Sequence, residues 1–414
     1  MIIDILCSVV DNLGDIGFVY RLTRALVISS QSFESIVPLE IRLIVDDLNS
    51  FASICPEVNS SLFVQQLSCC TVIQWNNPSE EGLYLFQKDT PYIVIEAYSC
   101  GRPSWFETFL FDNKNSKPRH IINLEYLTAE GWATEYHLLP SLTQSSKVSK
   151  IFFMPGFVQG TGGLLHDRES FALRERSLKF GGTLEIRQEA FNSLVSFLGP
   201  QVLSEPIKID SFWVFVFSYE HDFIPIIQDL LSFHSEKSLT IILAAGRSSE
   251  PFLRAWRAFG SPFPVLSLPS LPQNIWDAFL YSVDFAIVRG EESFAQVVLS
   301  GKPFVWECYP FSEKDSVNFH LESKSVGHWP KIEAFLTLLS PYMKPELFLL
   351  YKNLINAFNG ILPLTQGDLL SVLKLLVSND ENVEIQKVFQ KFSNSVLKVG
   401  NLSFNLLEYI RKLE

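Results

Sequence analysis

Neither a P-loop nor a GxGxxG turn occurs in this chain. That removes the two commonest glycine-rich cradles for a phosphate chain. The 7 histidines stand apart with no HxxxH pair, and nothing has the spacing of a metal site or of a Ser-His-Asp triad. The cysteines Cys7, Cys55, Cys69, Cys70, Cys100 and Cys308 include no CxxC pair. They read as free, mostly buried thiols of a reducing compartment. No apolar run reaches the ~18–20 residues of a membrane span. No basic segment precedes the first apolar stretch, which Asp4 interrupts, so a signal peptide is not expected and a cytoplasmic location is. A basic excess is missing too. With 33 Lys and Arg against 45 Asp and Glu, the net charge of −12 argues against a general nucleic-acid binder. Internal repeats and low-complexity segments are absent.

What is present is apolar and aromatic. The 414 residues are 47% hydrophobic and include 35 Phe, enough for two domains with sizeable cores. The first half alternates strand and helix. An opening strand leads into a helix from Ile16 to about Val27, whose apolar positions recur at a period near 3.6. Strands follow at Ile41–Val45, Tyr92–Glu96 and His120–Leu124, which implies a parallel sheet with right-handed crossovers. Lys150–Phe157 is apolar and breaks into the exposed loop Gln159–Gly163. A helix around Leu184–Leu198 stops at Gly199-Pro200.

The second half repeats the theme. Strands are expected at Phe212–Phe217, Leu239–Leu243, Asp284–Val288 and Pro303–Trp306. Helices are expected from a cap at Asp222 to about Phe233, around Asn274–Tyr281, and from the Arg289–Ser293 loop to Gly301. The tail carries one apolar stripe through Ile385, Val388, Phe389, Phe392, Val396 and Val399. A last helix runs from about Phe404 to Leu413 with Ser403 as its N-cap. The fold class is α/β: an N-terminal domain 1–175 completed by the helices of about 383–414, a linker region 176–205, and a C-terminal domain 206–382, with a cleft between the two domains.

Two loops carry the candidate chemistry. The first strand runs into Asp11-Asn12-Leu13-Gly14-Asp15-Ile16-Gly17, at the sheet edge where open α/β sheets bind ligands. Two acids there repel a phosphate and suit a cation, a base or a metal. The residues alone leave a plainer reading open, in which Asp11 caps the helix and Asp15 complements its dipole. The second loop is Arg289-Gly290-Glu291-Glu292-Ser293, between a strand and a helix. A helix N-terminus, a glycine permitting close approach, a fixed cation and a hydroxyl together suit a diphosphate without a metal. The two glutamates suit sugar or ribose hydroxyls. An ordinary helix start capped by Ser293 is the alternative. Phe217 and Tyr219, at a strand's carboxyl end, suit a nucleobase or simply the core, and Gln273 suits a base edge.

These loops resemble those of the bacterial EarP family, the protein-arginine rhamnosyltransferases of elongation factor P. The resemblance runs in order through Val10–Gly17, Tyr20–Leu26, Val45–Leu48, Val94–Ala97, Asn123–Leu127, Pro155–Phe157 and Thr161–Leu164. It continues through Phe217–Glu220, Arg289–Phe294 and Gly301–Trp306. It implies a GT-B fold of two Rossmann-like domains, with the C-terminal helix returning to the first. It also implies inverting transfer from dTDP-β-L-rhamnose to one arginine of elongation factor P, without metal or cofactor, which rescues ribosomes stalled on polyproline. By the same resemblance Asp15 is the base or orienting carboxylate and Asp11 its essential neighbour. Asn12, Gly14, Phe217, Tyr219, Gln273, Arg289, Gly290, Glu291, Glu292 and Ser293 are assigned to the donor. Two positions depart from the family pattern. Glu292 stands where Asp is usual, and Ser270 stands where an aromatic normally stacks on the base, leaving Phe217 or Phe263 to compensate. A transferase with a lipid or small-molecule acceptor, a sugar-nucleotide epimerase, and a non-catalytic module binding the factor are the rival readings.

Overall fold

The computed structural model describes residues 1–10, 13–33, 39–199, 207–309, 329–378 and 382–413. It divides into two compact units, Met1–Arg168 with Val396–Glu414, and Glu169–Ser395.

The first unit is built on eight strands: β1 (Ile2–Cys7), β2 (Glu40–Val45), β3 (Val64–Gln66), β4 (Thr71–Gln74), β5 (Ile93–Ala97), β6 (Arg119–Leu124), β7 (Pro140–Ser141) and β8 (Val148–Phe153). Their order is β3-β4-β2-β1-β5-β6-β8-β7. The pairing is parallel except at the two edges, β3 with β4 and β7 with β8. Short edge strands leave too little alternation to be read from sequence. Along β1, Ile3, Ile5 and Cys7 join the core beneath the helix Gly14–Ser30, while Leu6 joins the core on the other face. Burial on both faces explains why β1 is a nearly continuous apolar run. Asp4, the acid inside it, is buried and takes both Nε (2.5 Å) and Nη2 (2.8 Å) of Arg42.

The second unit holds β9 (Phe212–Phe217), β10 (Leu239–Leu243), β11 (Val265–Ser267), β12 (Phe285–Arg289) and β13 (Phe304–Glu307). All are parallel, in the order β11-β10-β9-β12-β13. Two α/β units of this Rossmann-like kind are the GT-B architecture. In each, the chain steps outward to one side of a central strand and then returns to the other side. The reversal places a crevice at the carboxyl ends of β1 and β5 in the first unit and of β9 and β12 in the second.

Three expectations shift. The helix Gly182–Leu198, expected in a linker, belongs to the second unit. Its buried Arg187 donates to the carbonyls of Ser282, Ile209 and Ser211 at 2.7–2.9 Å and pairs with Asp284 at 2.6 Å. Most of the helix Asn382–Leu397 belongs there too, with Phe389 against Phe304 and Tyr351 and Phe392 against Phe335. Only Val396–Glu414 completes the first unit. The last helix, Leu402–Arg411, is capped by Asn401 rather than Ser403, because the Asn401 side chain accepts the Ser403 N–H. Gly301 does end its helix, in the left-handed conformation at φ 70°. No described helix is long and apolar enough to cross a membrane.

Candidate active site

The first crevice is acidic. The helix Gly14–Ser30 begins two residues earlier than its apolar period suggests, with Gly14 as its first residue, and its cap position falls on Leu13, which offers no side-chain bond. Asp15 is 4% exposed, and its Oδ2 accepts the backbone N–H of Val10 at 2.8 Å. The carboxylate therefore ties the start of the helix to the segment that follows β1. Asp11 and Asn12 lie outside the described residues.

A second carboxylate holds the same turn from the other side. Asp46, just past β2, accepts Ser8 Oγ at 2.6 Å and Val9 N–H at 2.9 Å. The thiol of Cys7 registers this surrounding. Burial pushes it well up, and Cys100, Asp15 and Asp46 push it further. Glu96, by contrast, is buried and neutralised by Arg102 and by Lys150, the latter at 2.8 Å.

The facing loop, after β5, is strained. Tyr98 and Ser99 both sit at positive φ, 58° and 54°. Each such non-glycine residue costs about 1–2 kcal/mol. The Tyr98 ring stacks on Tyr126 at 4.0 Å and 7°, and it meets Phe18 at 5.5 Å. Ser99 Oγ reaches Glu125 Oε1 at 3.0 Å, and Asn123 Nδ2 donates to Ser99 Oγ at 2.8 Å. Strain held by several contacts is characteristic of ligand sites. An aromatic shelf beside carboxylates suits a flat cation.

The second crevice is built around a cation. Arg289 ends β12 and is 8% exposed, with its guanidinium carbon 4.5 Å from the Phe217 ring centre and 4.7 Å from that of Tyr219. Gly290 follows at φ 70°, where a side chain would be strained. The helix Glu292–Ser300 then begins, with Glu291 at the cap position making no side-chain bond to the helix. Ser293 lies inside the first turn and is not the cap. A helix end of this kind points N–H groups and a positive dipole toward an anion. Glu291 pairs with Lys331 Nζ at 2.6 Å. Gln273 is the first residue of the helix Gln273–Ser282, whose Trp276 meets the edge of Phe217 at 4.9 Å. Ser270 is exposed. Phe263 is buried beside His234, its carbonyl accepting the Trp256 indole N–H, and is core.

The structure brings Phe217, Tyr219 and Arg289 together, with Gly290 next in the chain. Sequence reasoning missed Asp46, Lys331, Trp276 and Glu307, and the Tyr98–Tyr126 shelf. It also missed Gly246, where a Cβ would come within 3.3 Å of the Phe217 ring. The acidity of Val45-Asp46-Asp47 was a usable signal; the others become neighbours only through the fold.

The comparisons with known proteins agree in one direction. A protein-arginine rhamnosyltransferase of Shewanella oneidensis is 34% identical over 367 residues, 83% of this chain and 82% of that one. One from Pseudomonas aeruginosa is 33% identical over 353 residues, 83% of both chains. A solved structure described as the structural basis for EarP-mediated arginine glycosylation of translation elongation factor EF-P superposes with a TM-score of 0.57. At 17% identity, covering 99% of each chain, it shows the shared fold. A family model described as elongation factor P rhamnosyltransferase EarP matches residues 3–411, and this chain belongs to the EarP family.

Proposed function

We propose that this protein moves L-rhamnose from dTDP-β-L-rhamnose to an arginine side chain of elongation factor P, inverting the anomeric centre, in the cytoplasm. The observation that carries the reading is the pair of buried groups at the two strand ends, the Asp15 carboxylate in the first unit and the Arg289 guanidinium in the second. The first unit offers Asp15 at the start of the helix whose Phe18 meets the Tyr98–Tyr126 stack, which suits a guanidinium. The second offers Arg289 and a helix N-terminus, which suit a diphosphate.

A guanidinium holds its protons above pH 12 and delocalises its lone pairs, so it is a poor nucleophile. Asp15 draws one N–H toward itself, localises density on that nitrogen, and takes the proton late in the displacement. A two-point grip on the guanidinium also fixes the line of attack. In this reading Asp11 is its essential neighbour, and Asn12 and Gly14 border the donor. The new N–C bond forms as the sugar C–O bond breaks, and dTDP departs with the electron pair. Arg289 and the Ser293 turn stabilise its growing charge in place of a metal. Phe217 and Tyr219 wall the nucleotide, Gln273 reads the thymine edge, and Glu291 and Glu292 meet ribose and sugar hydroxyls. One base suffices for inversion, with no covalent intermediate.

Intact-mass analysis of elongation factor P after incubation with this protein and dTDP-rhamnose tests the reading. One added deoxyhexose, mapped to an arginine, is the expected result. An unmodified factor with consumed donor points to another acceptor. A changed nucleotide sugar without any acceptor points to an epimerase.

A further inference from the structure

The resemblance that singled out Gly301–Trp306 stops one residue short of the best-buried carboxylate in the second crevice. Glu307 ends β13 and is 1% exposed. Its Oε1 accepts Ser218 Oγ at 2.7 Å, and its Oε2 accepts the Tyr219 backbone N–H at 2.8 Å. His221 Nε2 lies 3.1 Å from the same Oε2. All three groups belong to the turn that follows β9. The main chain of the same residue holds the neighbouring turn. Glu307 O accepts Gly290 N–H at 3.1 Å, while the Trp306 indole donates to Gly290 O at 2.9 Å.

We propose that Glu307 is a positioning residue of the donor site, setting the Phe217–Tyr219 turn at the spacing that holds the Arg289 guanidinium between two rings. A carboxylate this deeply buried is costly to keep unless donors surround it. Here the donors are supplied by the turn that carries the rings. One residue thus clamps both walls of the crevice, the first with its side chain and the second with its carbonyl. The Glu307 carboxylate fixes the turn that carries both rings, and a cation held in place beforehand binds a diphosphate at lower entropic cost. Glu307→Gln keeps the shape but replaces one acceptor oxygen with an NH2 that faces a donor.

The inference rests on the donor reading of this crevice, and the test separates the two. Calorimetric titration with dTDP is run on the wild type, Glu307→Gln and Ser218→Ala, alongside thermal unfolding and steady-state kinetics for each substrate. The wild type binds dTDP, Glu307→Gln binds it about 10-fold more weakly, and Ser218→Ala about 3-fold more weakly. KM for the nucleotide sugar rises in step while KM for the acceptor protein stays at the wild-type value, a split that general loosening of the fold would not produce. Should Glu307→Gln fail to fold, the Ser218→Ala values decide. Affinity within twofold of wild type in the folded variants overturns the positioning role, as does an equal rise in both KM values. A wild type that binds no dTDP overturns the donor reading itself, and this inference with it.

Discussion

The two crevices share a topology and differ in the buried group each is built around, a carboxylate in the first and a guanidinium in the second. In the first unit the loop after β1 is fastened by Asp15 and Asp46, each accepting backbone N–H groups of Val9 or Val10. In the second the loop after β12 presents Arg289 between two rings and a helix start with no side-chain cap. A Rossmann-like unit provides the location of a site, at the reversal of strand order. The residues just past the strand ends decide its sign. Without a glycine-rich phosphate loop in the first unit, its helix start is free of that role and carries an acid instead.

That comparison breaks in ways that can be measured. Asp15→Asn keeps the side chain's shape and its acceptor for Val10 but removes the proton acceptor, and turnover falls by about 10³-fold, within the range for a lost general base. Single-turnover transfer monitored by mass reads this. Next in size is Arg289→Ala, which weakens dTDP by about 100-fold because the charge-assisted contacts to the diphosphate go with the cation. Calorimetry reads it, with acceptor KM unchanged. Ser293→Ala removes one hydroxyl donor from the helix start and weakens dTDP by about 5-fold. The smallest effect belongs to Asp46→Asn. It loosens the Ser8–Val9 segment, which belongs to the first unit, so turnover drops about 3-fold and dTDP affinity holds. Equal effects of all four substitutions on nucleotide affinity would erase the distinction between the crevices.

Much of this was legible in advance because it was local. The run Phe212–Phe217 is a strand with the bounds its apolar pattern suggests, and Gly301 stops its helix where a left-handed residue is needed. Phe217, Tyr219 and Arg289 meet because β9 and β12 are adjacent parallel strands, which two apolar runs with intervening helices already imply. What stayed hidden depends on distant partners. Glu291 reads as open to a sugar hydroxyl, yet Lys331 reaches it from 40 positions away. Glu307 gives no sign of gripping Ser218, 89 positions earlier. Tyr98 and Ser99 belong to types that seldom take positive φ, so only the backbone reveals their strain. The cap of the last helix moved from Ser403 to Asn401 because both types cap well, and Asn401 Nδ2 is also fastened to the His166 carbonyl at 2.8 Å.

The division of labour is tested most directly by titrating Asp15→Asn with dTDP. The account predicts wild-type affinity, within twofold, in a protein that no longer transfers the sugar. A large loss of dTDP affinity in this variant would contradict it, because the Asp15 carboxylate would then serve the donor rather than the acceptor.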